Sequence, residues 1–78
     1  MRVTVLVRTK QGMLDPQGEA IAQSLGGLGL PVDGVRAGKV FDLDLATEDP
    51  GEARRLATAA AEQALANELI ETFEVVLP

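Results

Sequence analysis

Three short segments alternate apolar and polar residues, which is the period of a strand with one dry and one wet face. Residues 2–9 alternate valine with mostly polar residues, residues 41–45 alternate phenylalanine or leucine with aspartate, and residues 72–77 place phenylalanine, valine and leucine on one side. These patterns predict three strands, with the segment around Phe41 near the middle of a small sheet. If the first two strands are neighbours, arginines on one and aspartates on the other can form cross-strand ion pairs.

Two Asp-Pro pairs predict where the helices begin. Asp15 and Asp49 are suitable N-caps, while Pro16 and Pro50 suit the first helical position, where the missing N–H is not needed. Glu52 follows the second cap by three residues, which predicts a capping box.

The two predicted helices carry different apolar stripes. In the first helix the stripe is Ile21, Leu25 and Leu28, and nearby glycines end the helix. The second helix has a stripe that is mostly alanine, which lets a helix lie close to a sheet: Ala53, Leu56, Ala57, Ala60 and Ala64. We expect this helix to end near Asn67, because asparagine tolerates the left-handed conformation used at helix ends.

Residues 32–46 allow two interpretations. Val35 and Phe41 are in phase for one bent strand, which we favour, whereas Gly38 permits a tight turn and a hairpin. The predicted order of elements is therefore βαβ(β)αβ. It describes one α+β domain over residues 1–78, a two-layer sandwich with a mostly antiparallel sheet of three strands, or four if broken at Gly38, and two helices on one face.

The other face of this sheet is predicted to be open. Leu6, Val40 and Val76 would form an apolar band on it among threonines and charged residues. Such bands commonly mark association. We therefore expect this face, or a sheet edge, to meet a second copy of the chain.

Composition restricts the chemistry that the chain can perform. Its 78 residues support only a thin core, and its net charge of −5 without a basic run argues against binding to nucleic acid or to an anionic membrane. The absence of a long apolar run and of a signal-peptide pattern predicts a cytoplasmic protein. Without cysteine or histidine, the chain has no thiol nucleophile, imidazole base, disulfide or usual zinc site.

Three short strings resemble the PurS family, the small subunit of bacterial and archaeal phosphoribosylformylglycinamidine synthase. They are Leu14-Asp15-Pro16-Gln17-Gly18, Val35-Arg36-Ala37-Gly38-Lys39 and Leu65-Ala66-Asn67-Glu68-Leu69-Ile70-Glu71. Together with the predicted order of elements, the resemblance covers essentially the whole chain.

The resemblance implies a role in the fourth step of de novo purine synthesis, in which formylglycinamide ribonucleotide becomes the amidine with glutamine as nitrogen donor and ATP consumed. In that family a PurQ subunit hydrolyses glutamine, and a PurL subunit binds ATP and the ribonucleotide. PurS, as a homodimer or dimer of dimers, bridges the two so that ammonia can pass. No catalytic residue, metal or cofactor is then expected on this chain, which also lacks a phosphate-binding Gly-Lys-Ser/Thr loop.

Five residues in these strings are the candidates for contact with PurL or PurQ, because local structure explains them poorly: Gln17, Gly18, Arg36, Gly38 and Lys39. Gly18 is unexpected, since glycine within a helix costs roughly 1 kcal/mol relative to alanine. A bound anion at this helix start is a less favoured interpretation. Capping and helix termination explain the other residues singled out: Asp15, Pro16, Asp49, Pro50, Glu52 and Asn67.

Two other functions compete with this interpretation. The first is a dimeric regulatory module that binds a small metabolite at its seam, as α+β sandwiches often do. The second is a small enzyme that uses Asp42 and Asp44 as an acid and base pair. We disfavour the enzyme, because solvated acidic residues on a strand are far commoner than catalytic pairs.

Overall fold

The computed structural model describes all 78 residues and contains three strands and two helices. In chain order these elements are β1 (Arg2–Thr9), α1 (Pro16–Gly27), β2 (Gly38–Asp44), α2 (Pro50–Ala60) and β3 (Glu71–Val76). A π-helical turn, Ala61–Leu65, continues α2. All strand pairs are antiparallel, which confirms the predicted α+β class and the order βαβαβ.

β1 is the central strand of the sheet, whose order is β2-β1-β3. Val5 pairs with Phe41 on one side and with Val75 on the other. The prediction that the segment around Phe41 lies near the middle is therefore wrong, since β2 is an edge strand. Alternation shows which face a residue occupies but not how many neighbours its strand has.

The segment before β2 forms neither the bent strand that we favoured nor a hairpin. Pairing begins with Gly38 opposite Arg8, and β1 ends one residue later at Thr9. Residues 32–37 consequently have no strand beside them, and they run without regular structure.

The core joins one face of β1 to α2. Its fully buried residues are three valines and three alanines: Val3, Val5, Val7, Ala53, Ala57 and Ala61. The predicted alanine stripe is thus confirmed at Ala53 and Ala57 but wrong at Ala64, which is exposed. The cause is the π-helical turn, in which the Ala66 N–H donates to the Ala61 carbonyl at 2.9 Å. This wider turn brings Leu65 against the core instead.

The start of α2 is capped as predicted, but the capping box does not form. Asp49 Oδ2 accepts the Glu52 N–H at 3.3 Å. The Glu52 carboxylate, however, pairs with Arg55, and the Asp49 N–H donates to Thr47 Oγ1 at 3.1 Å instead. The ion pair with Arg55 thus replaces the hydrogen bond between the Glu52 side chain and the Asp49 N–H that a capping box requires.

Asn67 organises the turn after α2 and does not adopt a left-handed conformation, since only glycines have positive φ. Its carbonyl accepts the N–H groups of Ile70 and Glu71, while its side-chain oxygen accepts the Leu69 N–H at 3.1 Å. The predicted left-handed helix end is therefore wrong. Local side-chain hydrogen bonds of this kind are what make asparagine common in turns.

Helix α1 begins as predicted but does not pack on the sheet. Gly18 is its only buried residue, and Ile21 and Leu28 are 38% and 74% exposed. No partly buried hydrophobic residue between 10 and 37 packs against the core. The prediction of two helices on one face is consequently wrong for α1, because its first turn is attached to the chain around Val35, beyond the end of β1.

The result is an extended molecule. We call residues 10–37, which comprise α1 and its two connections, the arm. The radius of gyration is 15.5 Å, whereas a compact chain of this length has a value of about 11.5 Å. The molecule measures 47 × 25 × 14 Å.

Candidate interaction surfaces

Three cations lie where β1 ends and β2 begins, with Arg8 on the uncovered face of the sheet and Lys39 on the face of Val7. Arg8, Arg36 and Lys39, which we call the basic end, surround Gly38 and line a shallow depression of about 230 Å³. The structure thus brings together three of the five predicted contact residues. Sequence reasoning missed Arg8, although the alternation in β1 predicts it on the uncovered face of the sheet with Leu6, two residues before it.

Contacts within the chain hold each cation of the basic end. The Arg36 guanidinium donates to the Thr9 carbonyl. Arg8 Nη1 lies 3.8 Å from a carboxylate oxygen of Glu74, and Lys39 Nζ lies 3.4 Å from Glu71 Oε2. Both acid partners are on β3. The side chains of Arg8 and Lys39 nevertheless remain about half exposed, at 53% and 52%.

Glu71 is the most enclosed carboxylate of these pairs, with its side chain 15% exposed. It accepts the Asn67 N–H at 2.7 Å. This hydrogen bond, followed by the charge of Lys39, lowers the pKa of Glu71 against the opposing effect of burial. The carboxylate is therefore a fixed anchor that orients Lys39.

Close approach of the backbone explains both glycines among the predicted contact residues. A Cβ on Gly38 would lie 2.3 Å from the Val7 carbonyl oxygen, and one on Gly18 would lie 2.3 Å from the Val35 carbonyl oxygen. Either contact is far inside van der Waals distance, so only glycine fits at these positions. The two glycines therefore have roles within the fold.

Gln17 is the remaining predicted contact residue. It lies exposed in the first turn of α1, and its side chain makes no hydrogen bond within the chain. It does not line the depression at the basic end. The structure thus gives this residue no role in the fold.

A second depression, of about 270 Å³, lies at the base of the arm. It shares Arg36 with the basic end and is also lined by Lys10, Asp15 and Glu19. Hydrogen bonds from the Gly18 and Ala37 N–H groups lower the pKa of Asp15. Its carboxylate is therefore engaged with the backbone and is not free for chemistry.

The uncovered face of the sheet carries the predicted apolar band. Leu6 pairs with Val40, and Val76 lies opposite Thr4 on the other side of β1. Val40 and Val76 are 64% and 40% exposed. We call this surface, formed by Leu6, Val40 and Val76, the open face.

The two aspartates of β2 take part in contacts between strands. Arg2 Nε donates to Asp44 Oδ1 at 2.9 Å, which confirms the predicted cross-strand ion pair. This contact lowers the pKa of Asp44. Thr4 Oγ1 donates to Asp42 Oδ1 at 2.9 Å. Both carboxylates are exposed and occupied, an arrangement that disfavours an acid and base pair.

The structure contains no cluster of three or more acidic residues that could hold a metal ion. Neither helix has the length and apolar character needed to span a bilayer.

Comparison with known proteins identifies a family over nearly the full chain. Residues 2–78 match the family model PurS, described as phosphoribosylformylglycinamidine (FGAM) synthase. The PurS subunit of this synthase from Mycobacterium leprae is 41% identical over 75 residues, which span 95% of this chain and 91% of that protein.

Solved structures agree with the match in sequence. Thermus thermophilus PurS has a TM-score of 0.82 and 38% identity, covering 99% of this chain and 96% of that chain. A chain in the structure of PurLQS from Thermotoga maritima has a TM-score of 0.86 and 32% identity, covering 95% and 92%. The resemblance that the three sequence strings indicated is confirmed. The chain belongs to the PurS family, the small subunit of phosphoribosylformylglycinamidine synthase in purine biosynthesis.

Proposed function

We propose that this chain is a non-catalytic subunit that joins a glutamine-hydrolysing PurQ subunit to an ATP-dependent PurL subunit, so that ammonia passes between them. The observation that carries the proposal is the match of residues 2–78 to the PurS family, together with the likeness to a chain of PurLQS. Composition supports it, since a chain without cysteine or histidine has neither thiol nor imidazole for glutamine hydrolysis. ATP and glutamine are then substrates of the partners, and the assembly works in the cytoplasm.

The basic end is the surface that we assign to contact with PurL or PurQ. In a chain of net charge −5, this end of the sheet presents three cations, of which Arg8 and Lys39 are paired with carboxylates of β3 and Arg36 has no ion pair. Contacts with the chain itself already orient these side chains, which reduces the conformational entropy lost on docking. The occupant that fits is an acidic protein surface. Exposed Gln17 extends this surface, because the next residue, Gly18, contacts the backbone beside Arg36.

Single substitutions test this assignment. Arg36→Ala and Lys39→Ala should each weaken assembly with PurL and PurQ, as measured by analytical ultracentrifugation, and make it more sensitive to salt. Arg54→Ala is the matched control, since Arg54 is an exposed arginine on α2 without an ion pair. The melting temperatures of all three variants should stay close to that of the parent. Unchanged assembly of the two test variants would refute the assignment, and a large drop in their melting temperature would place both cations in the fold.

We also propose that a second copy covers the open face, whose Leu6 and Val40 also line the depression at the basic end, so that the dimer contact borders the contact with PurL or PurQ. The accessible surface is 5350 Å², whereas a folded monomer of 8.2 kDa exposes about 4,500 Å². The excess, roughly 800 Å², is comparable with what one partner buries in an interface of standard size, and the exposed arm contributes part of it. Leu6 and Val40 supply an apolar centre for a two-fold contact. A homodimer is the simplest product, and a dimer of dimers would use a further surface.

Val40→Asp tests this self-association. Because Val40 is 64% exposed, the substitution should leave the folded chain intact while placing a charge in the proposed interface. Light scattering coupled to size exclusion should then show a smaller species than the parent. Leu69→Asp is the control, since Leu69 is 79% exposed in the turn after α2. If Val40→Asp keeps the parent's oligomeric mass, the open face is not the interface.

A further inference from the structure

The two helices start with the same Asp-Pro pair but use their aspartates differently. Asp49 accepts one backbone N–H, that of Glu52, through Oδ2. Its other oxygen has no hydrogen bond. Asp49 therefore acts as an ordinary N-cap, which holds only the turn that follows it.

Asp15 uses both carboxylate oxygens, and the two donors lie far apart in sequence. Oδ1 accepts the Gly18 N–H at 3.0 Å, which caps α1. Oδ2 accepts the Ala37 N–H at 2.8 Å, across 22 positions. Ala37 is the residue directly before β2. One side chain thus connects the start of α1 to the chain that enters the sheet.

Backbone packing also holds the first turn of α1 against residues 35–37, and we call this contact the joint. Gly18 is buried, and the space where its Cβ would stand is occupied by the Val35 carbonyl. Arg36 donates to the Thr9 carbonyl at the end of β1. The two ends of the arm are thereby fixed to each other and to the sheet. Along α1 itself no other residue is buried.

From this geometry we infer that Asp15 is a positioning residue that sets the direction of the arm relative to the sheet. Its second oxygen is the distinguishing part, because the first only caps the helix. Without the bond to Ala37, α1 keeps its start but loses one of the few attachments that orient it. The basic end is coupled to the arm through the same joint, since Arg36 lies between Val35 and Ala37.

Asp15→Asn distinguishes the roles of the two carboxylate oxygens. An amide can still accept the Gly18 N–H through its oxygen, but its NH₂ group then faces the Ala37 N–H, donor against donor. Asp49→Asn is the matched control, because only one oxygen of Asp49 is used. Asp15→Ser is a second test variant, since serine can cap α1 but is too short to reach Ala37.

The direction of the arm can be measured as a distance between spin labels. The chain contains no cysteine, so Ser24→Cys on α1 and Glu62→Cys on the π-helical turn give two defined labels at exposed sites. The doubly labelled chain is mixed with excess unlabelled chain, so that distances between copies do not contribute. The measurement needs no partner protein, and its outcome is therefore independent of the proposed bridging role.

The parent and Asp49→Asn should give one narrow distance distribution, whereas Asp15→Asn and Asp15→Ser should give a broadened or shifted one. Amide hydrogen exchange at Ala37 should accelerate roughly tenfold or more in the two Asp15 variants, as expected for the loss of a hydrogen bond to a charged acceptor. Circular dichroism should show that all variants keep their helices. A narrow, unshifted distribution in both Asp15 variants would overturn the inference. So would equal broadening in Asp49→Asn, which would make both aspartates simple caps.

Discussion

Helices α1 and α2 have almost the same length and the same starting signal, yet they occupy very different environments. α2 buries Ala53 and Ala57 completely against the valines of β1. α1 buries only Gly18, and Leu28, which follows its last residue, is 74% exposed. An Asp-Pro pair therefore determines where a helix begins but not where it packs.

The side chains of the two stripes explain the difference. Alanine at 53, 57 and 61 allows α2 to approach the sheet closely, and this helix and its π-helical turn fill the layer above β1. The stripe of α1 consists of larger residues, Ile21, Leu25 and Leu28, and it does not reach the sheet, because the first turn of α1 is held against the chain around Val35, beyond the end of β1. A helix that stays outside its own core keeps an apolar surface available to a partner.

Among the substitutions that test the different packing of the two helices, Ala57→Leu should lower stability most. Three extra carbons at a position with no exposed surface would force α2 away from Val5 and its neighbours, and overpacking of this kind destabilises by about 3 kcal/mol. Thermal unfolding should show a melting temperature lower by about 12 °C or more. Ala20→Leu, at an exposed position of α1, should change it little. Equal effects of the two substitutions would contradict the different packing of the two helices.

A smaller loss is expected from Gly18→Ala. The new Cβ would stand 2.3 Å from a backbone carbonyl oxygen, so the joint at the base of the arm must open, at a cost of about 1–2 kcal/mol. Gly26→Ala is the control within the same helix, because nothing lies within 4 Å of its Cβ position. That substitution should stabilise by roughly 0.5 kcal/mol, since alanine favours the helix. Urea unfolding measures both, and effects of the same sign would disprove the close contact at Gly18.

Asp49→Ala should destabilise by about 1 kcal/mol, because it removes the single hydrogen bond that caps α2. The melting temperature should fall by about 4–8 °C. Asp49→Ser restores a capping oxygen and should recover most of the loss. Failure of serine to do so would show that Asp49 contributes more than a cap.

The smallest expected effect is the loss of the stabilisation by Asp15 at low pH. Hydrogen bonds from Gly18 and Ala37 lower the pKa of Asp15, with a smaller contribution from the charge of Arg36. Its stabilisation should therefore be complete above the unfolded-state pKa of about 3.9 and be lost as the pH falls through the lower folded-state value. A carboxyl carbon titration by NMR should give a midpoint below that of an aspartate in an unfolded peptide. A midpoint at or above that reference would mean that the two hydrogen bonds are not maintained in solution.

Local patterns in the sequence predicted much of the fold. Alternation located the strands, and both Asp-Pro pairs located the helix starts, because each of these signals acts over a few residues. The position of β2 at an edge was missed, since it depends on β3 pairing with the far side of β1. The phase shift after Ala60 was also missed, because no residue in the alanine-rich run marks a π-helical turn.

The same difference between local signals and contacts across distant segments applies to the candidate interaction residues. Arg36 and Lys39 lie together near Gly38 because they are its neighbours in sequence, and their contact with a partner stays a prediction. The reason for Gly18 is the Val35 carbonyl, a contact across 17 positions that no local pattern reveals. The second role of the Asp15 carboxylate was missed for the same reason, because its partner Ala37 belongs to another segment.

The most direct test of the proposed function compares two nitrogen donors. PurL and PurQ encoded by the same genome are assayed for amidine formation with ATP and the ribonucleotide, with and without this chain. With glutamine, formation should depend on the chain, because ammonia must travel between two subunits. With a high concentration of ammonium, PurL should form the amidine whether or not the chain is present. Glutamine-dependent formation at the same rate without the chain would contradict the bridging role.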